Sequence, residues 1–148
     1  MKNILLGIDF HERTAQLIEE TVKLAKPLSA KVWLLHIAAP EPDFVGMRVG
    51  PQSVRDHRAQ ELRNEHGLLN DYKTIIEHQG VEVECLLVSG PTIETILDEV
   101  NRLDIDLIVT GHHKHSRLEE LIIGTHSAKL IDESPVPVLV IPCKLEED

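Results

Sequence analysis

Apolar residues fall along the chain in short dense runs, separated by segments in which they recur every three or four positions. Ile4–Ile8 is a continuous run of the kind expected for a central parallel strand covered on both faces. His11–Leu28 then places Ile18, Val22 and Ala25 on one face, the mark of an amphipathic helix. Lys31–Ile37, KVWLLHI, predicts a second strand. Ala38–Pro51 holds Pro40, Pro42, Gly46, Gly50 and Pro51 and reads as a loop. Gln52–Gln79 is polar, with Leu62, Leu69, Tyr72 and Ile76 at helical spacing, and Gly80 supplies the C-terminal cap of that helix. Val81–Val88 predicts a third strand. Gly90-Pro91 opens another helix, with Pro91 at its first position, running to about Leu103. Asp106–Thr110 predicts the fourth strand; a Gly111 loop, a helix to about Asp132 and a strand over Val136–Ile141 complete the chain.

Strict alternation of strand and helix with short connections implies an α/β fold: a doubly wound parallel sheet with helices on both faces. In such open sheets a ligand sits beyond the carboxyl ends of the strands, where the winding reverses. The loop after strand one, carrying Asp9, and the loop after strand four, carrying Gly111, are the candidates.

The length of 148 residues fits one domain, residues 1–148, with no internal repeat or linker. Hydrophobic residues make up 42% and aromatics only 3%, so the core is expected to be aliphatic. A formal charge of −10 argues against broad nucleic-acid binding, which needs a basic face. Cys85 and Cys143 sit in apolar strand-like runs and read as buried thiols of a reducing compartment, with no disulfide. The opening MKNILLGIDF has too short an apolar run for a signal peptide, and no segment approaches the roughly 18 apolar residues of a membrane span. The expected location is cytoplasmic.

Asp9 has two readings. It is a carboxylate for a ligand's base, sugar or metal, or it is the N-cap of the next helix. The segment Gly111–Ser127 is the stronger signal. Glycine lets backbone approach a phosphate closely, a helix N-terminus offers unpaired N–H groups, and Thr125 and Ser127 add hydroxyls. Taken alone, the glycines favour an unliganded turn and a Thr-capped helix. His112, His113 and His115 lie close together, with His126 further along, but no metal-binding spacing accompanies them and they read as a solvated loop. The P-loop pattern, the dinucleotide fingerprint and the nucleophile elbow are all missing from the sequence, and strand three ends Val88-Ser89-Gly90 without the Asp of a phosphorelay receiver. No nucleophile, base and orienting group can be assembled from it.

The strand ending in Asp9, the Leu-His-Ile end of strand two, Gly90-Pro91, the Gly111 loop, Gly124-Thr125-His126-Ser127 and the closing PVPVLVIP together resemble the universal stress protein family, across essentially the whole chain. The nucleotide-binding branch of that family carries Gly-x2-Gly-x9-Gly-(Ser/Thr). Here Gly111, Lys114, Gly124 and Thr125 keep this register, with Lys114 at the second glycine. The resemblance implies a flavodoxin-like sheet of order 3-2-1-4-5 that binds ATP, with or without Mg, with AMP as the alternative ligand. Asp9 would meet the adenine or ribose, Ile37 would line the adenine pocket, and Gly111, Gly124, Thr125, His126 and Ser127 would surround ribose and phosphates. Lys114 would neutralise the triphosphate, point outward or block entry. His11 stands where the family usually has Ser.

The resemblance further implies a homodimer formed through the last strand, Val136–Ile141. The expected function is a stress-response regulator or sensor acting through protein partners not yet known, without nucleic acid or membrane. Enzymatic activity would amount at most to slow ATP hydrolysis or autophosphorylation. The alternative is the same fold and dimer with no nucleotide, working through protein partners alone.

Overall fold

The five apolar runs form one parallel sheet in a computed structural model of the protein, which describes residues 1–8, 14–38, 52–113 and 129–143. In chain order the elements are β1 (Asn3–Ile8), α1 (Thr14–Leu28), β2 (Lys31–Ala38), α2 (Gln52–His78), β3 (Val83–Ser89), α3 (Thr92–Arg102), β4 (Leu107–His113) and β5 (Val138–Cys143). Residues 129–133, between β4 and β5, are helical. The strand order is β3-β2-β1-β4-β5, as the family resemblance implies.

β1 lies at the centre, and its unbroken apolar run is buried from both sides: Ile4, Leu5 and Leu6 are at most 1% exposed. Alternate side chains leave the strand on opposite faces. Ile4 and Leu6 join Leu17, Ile18, Val22 and Ala25 of α1 and Leu69 and Ile76 of α2 in one cluster. Leu5 joins Leu35, Ile108, Val100 of α3 and Leu130 in the other. Burying each such side chain contributes roughly 1.5–3 kcal/mol before conformational entropy is charged against it.

The helices end where the backbone can reverse. Ser29 and Asp104 both take left-handed φ, 52° and 53°, just after α1 and α3. Ala30 N–H then donates to Ala25 O and Ile105 N–H to Val100 O, which satisfies carbonyls that the helix leaves open. Gly80, at φ 84°, does the same office after α2, as expected of the glycine there. Gly90 has φ 145°, and Pro91 is the cap of α3 rather than its first helical residue.

Two strand boundaries differ from expectation. β4 continues three residues past Thr110, because β5 keeps pairing with it: Gly111 faces Ile141, His112 faces Pro142 and His113 faces Cys143. Gly111 is therefore a strand residue, not part of a loop. β5 starts at Val138 rather than Val136. There the Ser134 hydroxyl accepts Val136 N–H at 3.1 Å and donates to Val136 O at 2.7 Å, which holds that residue in a turn.

Cys85 is half-buried rather than fully buried, and its thiol donates to Leu69 O at 3.4 Å. Burial pushes that thiol above its ordinary pKa, with Lys73 opposing and Glu77 reinforcing the shift. Cys143 lies on β5, at the opposite edge of the sheet from Cys85 on β3. Four inter-strand steps separate them, roughly 19 Å, well beyond disulfide reach. No helix among the described residues is long and apolar enough to cross a membrane.

Candidate functional site

The ladder between β1 and β4 is short, running from Ile4↔Leu107 to Leu6↔Val109. The ladders on either side run further. β1 stays paired with β2 through Gly7↔Leu35 and Ile8↔His36, and β4 stays paired with β5 out to His113↔Cys143. Among the described residues the sheet therefore opens at its carboxyl edge, beyond Leu6 and Val109. This is also where the winding reverses, with β2 and β3 built outward on one side and β5 on the other. An open α/β sheet binds ligands at such a point.

Gly7 is the first residue past the split. Leu5, Leu35, Ile37 and Ile108 all belong to the α3 side of the core. Alternation puts Gly7 and Thr110 on that same face, two residues on from Leu5 and Ile108. A Cβ on Gly7 would meet nothing within 4 Å among the described residues. Ile37, Thr110 and Gly111 are half-buried around this opening. Among the described residues the result is an apolar crevice edged by strand backbone.

Ile37 and Gly111 are thus brought to the same edge of the sheet, on opposite sides of the split. Asp9, Lys114, Gly124, Thr125, His126 and Ser127 lie outside the described residues, as do His11 and His115. Sequence reasoning passed over Gly7 and Thr110, since a lone glycine or threonine in a strand carries no signal of its own.

His36 was also missed as a structural element of this edge. It is only 8% exposed, on the α1 and α2 side of β2. Its Nδ1 lies 2.9 Å from Ile8 O, and its Nε2 lies 3.6 Å from Glu65 Oε2 of α2. The second distance is too long for a hydrogen bond and leaves an electrostatic contact. Glu65 Oε2 is buried and receives no hydrogen bond among the described residues.

The opposite, amino edge of the sheet is closed by a carboxylate. Asp106 Oδ2 accepts the backbone N–H groups of Lys2 at 2.8 Å and Asn3 at 3.0 Å. These two bonds hold the Asp106 carboxyl below its ordinary pKa. A separate groove of about 750 Å³ runs between α1 and β5, lined by Gln16, Glu19, Lys23, Leu24, Leu139 and Ile141 among others.

Comparison with known proteins places this architecture. The sequence pattern of the universal stress protein family matches residues 1–142. The chain belongs to the universal stress protein family. Among curated members it is 29% identical over 143 residues to universal stress protein YxiE of Bacillus subtilis, covering 93% of this chain and 97% of that one. It is 26% identical over 148 residues to universal stress protein A of Escherichia coli, covering 99% and 98%.

Solved universal stress protein structures share the fold. That of Lactobacillus plantarum superposes with a TM-score of 0.79 at 18% identity, covering 95% of this chain and 97% of the other. A universal stress protein in complex with cAMP gives 0.71 at 15% identity, covering 96% and 97%. One from Archaeoglobus fulgidus in complex with dAMP gives 0.63 at 18%, covering 95% and 98%.

Proposed function

We propose that this universal stress protein binds an adenine nucleotide, ATP in the first instance, in the crevice between β1 and β4. The observation that carries the reading is the early end of the β1–β4 ladder at Leu6↔Val109, which opens the carboxyl edge beside Gly7, Ile37 and Thr110. Family membership supports it, as do the cAMP and dAMP complexes of two fold relatives. The apolar side at Ile37 suits a base, which is flat and mostly nonpolar.

In this reading Asp9 accepts hydrogen bonds from the base or ribose. Gly111 lets the strand backbone come close, and Gly124, Thr125, His126 and Ser127 surround ribose and phosphates at a helix start. The Lys114 ammonium offsets phosphate charge where a glycine stands in the nucleotide-binding branch; any Mg would sit on the phosphates. The chain works as one domain in a reducing, cytoplasmic setting, and the bound nucleotide shifts a conformational population that a protein partner reads.

The same reading makes the protein a homodimer through its last strand. β5 is a sheet edge, and Leu139 on it is 41% exposed. Edge strands with exposed apolar residues need cover. The groove between α1 and β5 offers a second copy an apolar seat at Leu24, Leu139 and Ile141.

Calorimetric titration of the full chain with Mg-ATP, with AMP and GTP as controls, tests the nucleotide reading. Saturable binding at one site per chain, lost on Asp9→Ala or Gly124→Val, is expected. A folded protein giving no heat up to about millimolar ATP, a Kd limit near −4 kcal/mol, would sink it and leave protein partners as the function.

A further inference from the structure

We propose that His36 is a positioning residue for this crevice, fixing the end of β1 through the Ile8 carbonyl; the inference rests on the nucleotide reading above.

The position is unusual for a polar residue. Val32 and Leu34, the preceding residues on the same face of β2, are 0% exposed and wholly apolar. An imidazole in that layer costs free energy unless its nitrogens find partners. Nδ1 finds Ile8 O at 2.9 Å. A carbonyl oxygen only accepts, so Nδ1 carries the hydrogen and donates it. That bond orients the ring, with Nε2 on the side of the Glu65 carboxylate 3.6 Å away.

The bond falls where β1 is least supported. β1 pairs with β4 only as far as Leu6, so Gly7 and Ile8 are held within the sheet by β2 alone among the described residues. Ile8 is the residue from which the chain leaves toward Asp9. Its carbonyl is the last described acceptor of β1, at the edge of the crevice. A ligand site is only as well defined as the shell that holds its contacting residues. α2 packs on this face of β2 and β3 and sets Glu65 beside Nε2.

Two amide side chains separate this role from simple space filling. The Asn amide nitrogen falls near the place of Nδ1, and the longer Gln reaches toward that of Nε2. His36→Asn therefore keeps a donor for Ile8 O, His36→Gln moves it away, and His36→Leu removes it. The three variants and the parent are titrated with AMP by calorimetry, with urea unfolding to establish that each is folded. His36→Asn is expected to bind within about threefold of the parent, and His36→Gln and His36→Leu at least about tenfold more weakly. Parent-like binding by His36→Leu, or His36→Asn as weak as His36→Leu, would overturn the proposal.

The Ile8 carbonyl ¹³C shift in the same proteins reads the bond without any ligand. It is expected to stay in place in His36→Asn and move in His36→Leu; no movement in His36→Leu would overturn the proposal on its own. If the parent binds no AMP or ATP, the nucleotide reading fails, and the carbonyl shift still decides whether His36 holds the end of β1.

Discussion

Leu6 and Val109 face each other in the last rung between β1 and β4, and the two strands are held apart from there on by their outer partners. β2 keeps β1 to itself through Ile8, and β5 keeps β4 through His113. The opening is thus a consequence of topology. It arises where neighbouring strands have their connecting helices on opposite faces, and it needs no special residue to create it.

Gly7 adds no side chain at the opening. Glycine inside a strand costs roughly 0.5–1 kcal/mol relative to a side chain that fits, and among the described residues nothing lies within 4 Å of a Cβ on Gly7. Gly7→Val is therefore expected to fold as well as the parent or up to about 1 kcal/mol better by urea denaturation. Nucleotide binding, read by calorimetry in the same preparation, is expected to fall at least about tenfold. Loss of stability together with unchanged binding would place the ligand elsewhere.

Leu139 tests the dimer. It is exposed on β5 and lines the groove beside α1. Leu139→Glu sets a charge in an apolar contact and should convert a dimer to a monomer by light scattering at micromolar protein. Its effect on the unfolding of the monomer itself should stay within about 0.5 kcal/mol, since the side chain is not in the core. A parent that is already monomeric would rule out this face.

Asp106 governs part of the acid limb. Its native pKa is depressed by the N–H groups of Lys2 and Asn3. A carboxyl depressed in this way contributes stability above its unfolded value, about 3.9, and loses it as pH falls through the lower native value. Urea midpoints measured from neutral pH down to about pH 2 should therefore decline below about pH 4, and Asp106→Asn should flatten that decline while lowering stability at neutral pH. An identical acid limb in the variant would contradict the assignment.

Gly90 and Ser29 call for opposite substitutions. Gly90 has φ 145°, and a Cβ there would lie 2.7 Å from Thr95 Oγ1. Gly90→Ala is expected to cost about 1–3 kcal/mol. Ser29 carries a side chain at φ 52°, where glycine is at ease, so Ser29→Gly is expected to add about 0.5–1 kcal/mol. Paired urea curves give both signs in one experiment.

Much of the fold was legible in the sequence because unbroken apolar runs such as Ile4–Ile8 and KVWLLHI admit few roles other than central strands. Gly80 and Gly90 marked helix boundaries because their backbone angles need glycine. The end of β4 was not legible. Gly111-His112-His113 has the composition of a loop, and only its pairing with β5 makes it a strand. The start of β5 was hidden for a similar reason, since the Ser134 hydroxyl claims both backbone groups of Val136. Ile37 was named from the family resemblance, and the structure sets it near the carboxyl end of β2. His36, beside it, was visible only as part of a family resemblance, because its bond to Ile8 crosses between strands and leaves no local pattern.

The central claim is that an adenine nucleotide sits at the split between β1 and β4. Amide chemical shifts of isotope-labelled full chain, followed as Mg-ATP is added, test this directly. The account predicts saturable changes at Gly7, Ile8, Ile37, Ala38 and Gly111, with Asn3, Lys31 and Asp106 at the amino edge unmoved. Changes confined to the amino edge or to the groove between α1 and β5, or no change at saturating nucleotide, would contradict it.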